Sequence, residues 1–306
     1  VSVPFAFVTI LVVWSTTPLS IHWSNETLSP SAAISARMAL AALIGWLVLK
    51  AARIALPWHG LAVRTYAYSL IGVFGAMSLT YFGAKFIPSG LISILFALTP
   101  VVTNLVAALV FGRGDFSRWG WASFAVSFLG VIVICSDGLV MQDDGWIGAL
   151  MLLSAVGLYS VSGILVQRET YQAHPLVITV GALILSLPLF LLLWWTTDGH
   201  LPQVNWSSHS PWAVLYLAVF GSLIGFVSYF YIVKTRGASV VSMVTLATPM
   251  FALYLGHHYN GEPVSMKLVI GSVLVLSGLC VYFLSLGASE QSRASIKSNH
   301  EMEQRV

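Results

Sequence analysis

Runs of about twenty apolar residues, separated by short polar breaks, recur ten times along the chain. A hydrocarbon core about 30 Å thick needs roughly 20 residues of helix, so the pattern predicts ten membrane-spanning helices. The predicted spans are 4–23, 31–50, 65–86, 89–111, 118–136, 145–166, 175–196, 211–233, 238–257 and 265–286. The second five repeat part of the first five. Tyr81-Phe82, Leu98-Thr99-Pro100, Gly112 and Gly130 are followed 148 or 149 residues later by Tyr229-Phe230, Ala247-Thr248-Pro249, Gly261 and Gly278. The expected organisation is a five-helix unit over 1–140, a second over 141–287, and a polar tail over 288–306. The tail is expected to be cytoplasmic and disordered.

An odd number of helices per unit places the two units in opposite orientations across the membrane. Inverted repeats supply two nearly equivalent packings, and exchanging them opens a midplane site to one side and then the other. A duplicated scaffold or channel without alternating access is the other reading of the same repeat.

Composition fits the spans, with 58% of residues hydrophobic and 8% charged, and leaves no room for a separate soluble domain. The net charge of +3 reports topology rather than an anionic partner such as nucleic acid. With a cytoplasmic N-terminus, eleven of the fourteen Lys and Arg residues face inward, only Lys85 and Lys267 face outward, and Arg37 lies within a span. Both termini are therefore expected in the cytoplasm of a multi-pass protein whose surroundings are membrane lipid, with the bacterial inner membrane as the expected location. The first apolar run lacks a basic start and an A-x-A-like cleavage site, so it is read as a helix and not as a signal peptide. Cys135 and Cys280 both fall within spans and are expected to be packing residues. The sequons at Asn25 and Asn205 fall in outward loops and are read as chance.

The Trp14-Ser15 helix leading to Leu28-Ser29-Pro30 and Arg37, the Ser93–Pro100 segment, Arg236-Gly237-Ala238-Ser239, Thr248-Pro249 and Gly261-Glu262-Pro263 stand in a particular order. In that order and spacing the chain resembles the EamA-type members of the drug/metabolite transporter superfamily, over nearly its full length up to Leu286. The resemblance implies ten helices in two inverted halves around a central cavity, and export or exchange of metabolites. One departure is that Gly112 is followed by Arg113, where the family often has Gly-Glu after both the fourth and the ninth helices.

Candidate site residues follow from polar positions on apolar rods. On the fourth span Ser89, Ser93, Phe96, Pro100 and Thr103 share a face beside Thr99, and Ser242, Thr245 and Pro249 repeat that face on the ninth. Hydroxyls facing lipid need an acceptor, so these faces point inward, as cavity lining or as packing glue. Pro100 and Pro249 each delete a mid-helix hydrogen bond, which suits a matched pair of hinges or a pair of fixed kinks. Ser78, Tyr81, Phe82 and Lys85 form a stripe on the third span. Trp14, Thr16, Thr17 and Ser20 on the first, Tyr159 and Ser162 on the sixth, and Ser222 and Tyr229 on the eighth complete an aromatic and hydroxylic wall suited to a small amphipathic solute. Gly221 and Gly225 form a GxxxG pattern whose partner is either internal or a second protomer, the latter giving a homodimer.

Arg37 either pairs with a substrate carboxylate or phosphate, or snorkels to the outer interface. No Asp or Glu lies within a predicted span, which argues against a proton-coupled exporter of cationic drugs. The leading expectation is a carrier of a small amphipathic metabolite, an amino acid or related organic anion. An exchanger of nucleotide sugars or sugar phosphates would want clustered cations. A membrane enzyme would want a nucleophile with its base or a metal cluster; neither pattern is present, so catalytic residues, metals and cofactors are not expected.

Overall fold

The computed structural model describes residues 2–112, 118–137, 144–171, 173–241, 244–245 and 247–282. Among these the secondary structure is helical, with no strand. Seven helices are long and apolar enough to cross a membrane: Val3–Ser24, Pro30–Ala51, Ser89–Leu109, Arg118–Cys135, Gly145–Arg168, Pro175–Thr197 and Ser210–Arg236. The chain is thus an integral, multi-pass membrane protein. The predicted tail over 288–306 lies outside the described residues.

Helix starts follow local chemistry. α1 (Val3–Ser24) opens with the Ser2 side chain accepting from the Phe5 amide and with proline in the first turn. α2 (Pro30–Ala51) opens the same way, with Ser29 accepting from the Ala32 amide. In both, a hydroxyl satisfies one of the orphan amides of the first turn, and proline removes another. The third span is helical from Gly60 to Gly83: α3 (Gly60–Leu70), a π-helical segment Ile71–Ala76, and α4 (Met77–Gly83). The eighth has the same construction: α10 (Ser210–Tyr216), a π-helical segment Leu217–Ile224, and α11 (Gly225–Arg236). Periodicity predicted neither π segment, although they fall at matching places in the predicted repeat.

The fourth and ninth spans are interrupted, also at matching places. α5 (Ser89–Phe96) ends at a turn and resumes as α6 (Thr99–Leu109). α12 (Ala238–Val241) gives way to a short link before α13 (Thr248–Asn260). Each break sits immediately before a Thr-Pro pair, because proline cannot donate to the preceding turn. The remaining helices are α7 (Arg118–Cys135), α8 (Gly145–Arg168), α9 (Pro175–Thr197) and α14 (Met266–Tyr282).

α1 lies centrally, against α10, α11, α13 and α5, while α2 packs on α9, and α8 packs on the π segment Ile71–Ala76. Phe5, Val8, Leu43 and Leu47 remain exposed on outer faces, as expected of helices with lipid for solvent. Cys280 is exposed as well, which corrects its reading as a packing residue.

One carboxylate ties distant stretches of the chain together. Glu262, just past the left-handed Gly261, is buried and accepts from the amides of Ser89 (2.9 Å) and Gly90 (3.2 Å) at the start of α5. A negative charge at a helix N-terminus meets unpaired amides and the positive end of the helix dipole. At the matching start of α12, the Ala238 amide donates instead to the neutral Oε1 of Gln167 (3.1 Å).

α7 and α14 approach through glycine. A Cβ on Gly130 would lie 2.6 Å from the Gly271 carbonyl oxygen and 2.9 Å from the Val275 amide nitrogen, so backbone meets backbone. Gly130→Ala is therefore expected to destabilise the fold by about 1–3 kcal/mol through overpacking. Thermal melting in detergent checks this: Gly130→Ala should melt well below the parent, whereas Gly157→Ala, with nothing within 4 Å, should not.

Candidate functional site

α1, α2, α4, α5, α8, the eighth span and the start of α13 surround a cavity of about 70 Å³. A water needs about 10–15 Å³ measured this way, so there is room for several waters or part of a small solute. α1 contributes Trp14, Thr17, Pro18 and Ile21; α2 contributes Arg37; α4 contributes Met77 and Thr80. Ile92, Ser93 and Phe96 come from α5, Tyr159 from α8, and Gly221 and Phe226 from the eighth span. Thr245 and Thr248 close the ring.

Arg37 is 1% exposed, which rules out snorkelling to an interface. Its Nε donates to Ser222 Oγ (2.8 Å) and its Nη1 to the Tyr81 hydroxyl (3.3 Å), with the guanidinium carbon 5.7 Å from the centre of the Tyr81 ring. Among the described residues it pairs with no carboxylate; the ion pairs there are Arg64–Glu169 and His209–Glu26. A charged side chain at membrane depth costs about 3 kcal/mol or more, and two hydroxyls and a ring face offset part of that. The chain leaves room for this cation by a missing side chain: a Cβ on Gly221 would stand 2.9 Å from Nη2. The GxxxG pattern thus packs internally, with Gly221 against Arg37 and Gly225 near Trp14.

An aromatic partition bounds the cavity. The rings of Trp14 and Tyr159 meet edge to face at 6.0 Å, Tyr159 and Tyr229 lie 4.7 Å apart, and Trp14 and Tyr229 6.0 Å apart. Gly163 leaves room for this contact, since a Cβ there would fall 2.6 Å from the Tyr229 hydroxyl. Behind the partition is a second pocket of about 10 Å³, room for one water, lined by Thr99, Thr103, Ser160 and Tyr229 and sharing Trp14 and Tyr159. Thr103 donates to Ser160 there (3.0 Å).

Of the residues expected to form the site, Trp14, Thr17, Arg37, Ser93, Phe96, Tyr159 and Thr245 line the cavity. Tyr81 stands behind Arg37 and holds it. Thr99 and Tyr229 line the smaller pocket. Ser78 lines neither, which corrects its placement: the stripe facing the cavity is Met77 and Thr80, one residue earlier. The π segment just before Met77 alters the turn on which a 3.6-residue extrapolation depends. Ser242 lies outside the described residues.

Thr80 and Thr248 were missed, although Thr248 is signalled by the repeated Thr-Pro pair. In both pairs the carbonyl freed by proline is occupied, by Thr99 Oγ1 on Phe96 (2.5 Å) and by Thr248 Oγ1 on Thr245 (3.2 Å). These carbonyls already have a donor, so the prolines bear on helix shape more than on solute contacts.

Comparison with known proteins agrees with this architecture. The chain is 26% identical over 270 residues to an uncharacterized transporter of Archaeoglobus fulgidus, covering 88% of this chain and 94% of that protein. It is 27% identical over 289 residues to protein PagO of Salmonella typhimurium, covering 90% and 93%. To the uncharacterized inner membrane transporter YedA of Escherichia coli it is 24% identical over 263 residues, covering 85% and 83%. A solved crystal structure superposes with a TM-score of 0.67 over 92% of this chain and 96% of the other, at 17% identity, and speaks to the fold alone. The family model of the EamA-like transporters matches residues 2–136 and 146–284, and the chain therefore belongs to the EamA-like transporter family.

Proposed function

We propose that this protein is a secondary carrier that moves a small amphipathic solute with one negative group, an amino acid or related organic anion, by alternating access. The observation that carries the reading is Arg37: a buried guanidinium, unpaired with any carboxylate among the described residues, in the wall of an otherwise aromatic and hydroxylic cavity. Such a fork binds a carboxylate through parallel hydrogen bonds, and desolvation strengthens each. Trp14, Phe96 and Tyr159 offer apolar area to the rest of the solute. Lys85 and Lys267 are exposed and absent from the cavity lining, so a diphosphate would meet one cation where it needs several.

In this reading the ten spans form two inverted five-helix units. The matched breaks before Thr99-Pro100 and Thr248-Pro249 are the hinges, and both termini are cytoplasmic in a bacterial plasma membrane. Discontinuous helices meeting at a repeat interface are the usual setting of a midplane solute site. With the N-terminus inside, Thr17 to Ile21 lie toward the outer end of α1. The Trp14–Tyr159–Tyr229 partition then separates the larger cavity from the cytoplasm. Export as the working direction rests on the family resemblance.

Reconstitution in liposomes, with labelled amino acids and single-carboxylate acids in uptake and counterflow, tests the function. Arg37→Gln is expected to reduce transport about tenfold or more, and Arg37→Lys to recover part, since an ammonium keeps the charge without the planar fork. A stably folded Arg37→Gln protein that carries the solute at the parent rate would refute the assignment. Topology is tested separately by labelling single cysteines in a background lacking Cys135 and Cys280. A cysteine replacing Ser207 should react with an impermeant reagent from outside and one replacing Ser295 should not; the reverse pattern overturns the orientation.

A further inference from the structure

Three of the cavity hydroxyls are not interchangeable donors and acceptors, because the helices have already taken their protons. Thr17 Oγ1 donates to the Val13 carbonyl at 2.7 Å, Thr80 Oγ1 to Ala76 at 2.8 Å, and Thr248 Oγ1 to Thr245 at 3.2 Å. A hydroxyl has one proton and two lone pairs, so each of these groups can offer the cavity only an acceptor. All three line the same space as Arg37, whose guanidinium has donors and no acceptor. Among the described residues no Asp or Glu lines that space.

We infer that Thr17, Thr80 and Thr248 are specificity-determining residues, an acceptor-only pole that selects solutes carrying an N–H donor beside the carboxylate held by Arg37. The inference rests on the anion-binding reading of Arg37 and narrows it. A solute with an ammonium group satisfies both poles, and the face of Trp14 adds attraction for its positive charge. The same skeleton without nitrogen binds Arg37 equally well but leaves oxygen lone pairs facing apolar carbon in a space too small for bulk water. Sites built to hydrogen-bond a solute group reject analogues lacking it far better than apolar sites reject an extra methylene. The poles are neutral hydroxyls rather than a carboxylate, so a solute with a cation and no anion gains little here.

The test uses the full chain in detergent, with matched pairs as probes: alanine and propanoate, leucine and 4-methylpentanoate, phenylalanine and 3-phenylpropanoate. For a pair that binds, calorimetric titration should give the amino acid an advantage of about tenfold, corresponding to one hydrogen bond with a charged donor. Thr17→Val combined with Thr80→Val keeps side-chain shape and removes two acceptors, so this ratio should fall to about threefold or less. Thr17→Ser with Thr80→Ser restores the acceptors and should restore the ratio, which separates acceptor loss from misfolding. Equal affinity within the pairs for the parent, or an unchanged ratio in the valine variant, would overturn the inference. The Arg37 reading is judged independently by the deaminated acids: their affinity should collapse in Arg37→Gln whatever the ratio does.

Discussion

A buried positive charge has to be compensated, and in this protein the compensation is assembled around Arg37. The guanidinium stands in a cavity wall whose other lining groups are apolar, aromatic or hydroxylic, and it is held by one serine hydroxyl, one tyrosine hydroxyl and the face of that tyrosine's ring. Gly221 provides the space for Nη2, and Ser222, its neighbour on the same π-helical segment, takes Nε. The seat therefore depends on α2, α4 and the eighth span keeping their relative positions. A shift of any one of them changes how the cation is satisfied, which gives a solute anion a means of biasing the packing. Differential affinity of this kind is what a ligand needs in order to move a conformational equilibrium.

The third and fourth predicted spans share their irregularities with the eighth and ninth. Each pair has a π segment one helix before an interrupted helix, and each places the interruption before Thr-Pro. What differs is the chemistry laid over this frame. Tyr229 closes on Tyr159 and Trp14, whereas Tyr81, its counterpart, turns to Arg37. Glu262 holds the start of α5 with a charge, whereas Gln167 holds the start of α12 with a neutral amide. These unequal closures leave the larger cavity on one side of the aromatic partition.

Much of this was legible in the chain because it depends on local rules. Apolar runs of fixed length, Ser-Pro helix starts and the repeated Thr-Pro pair each leave a direct trace, and they point to the seven membrane-length helices and to seven of the residues around the cavity. What the sequence hid depends on phase or on long range. The π segments leave only paired glycines as a signal, so the third span was read one residue out of register and Thr80 was passed over for Ser78. The burial of Arg37 was undecided because its partners, Tyr81 and Ser222, lie 44 and 185 residues away. Glu262 looked like a loop carboxylate for the same reason, its partners being 172 and 173 residues distant.

The central claim is that Arg37 is the anion-binding pole of the cavity, and it can be examined in the unmodified protein by arginine footprinting. Phenylglyoxal labels guanidinium groups as they become accessible; Arg37 is 1% exposed here, so under the alternating-access proposal it reacts only as its cavity opens. The comparison is made under conditions in which the solute-free protein gives a measurable Arg37 adduct, read site by site by peptide mapping and mass spectrometry. Reaction in the presence of a transported carboxylate should suppress the adduct at Arg37 in proportion to occupancy while leaving the half-exposed Arg64 unaffected. Equal labelling of Arg37 with and without saturating solute, under conditions where the solute is demonstrably bound, would contradict the account.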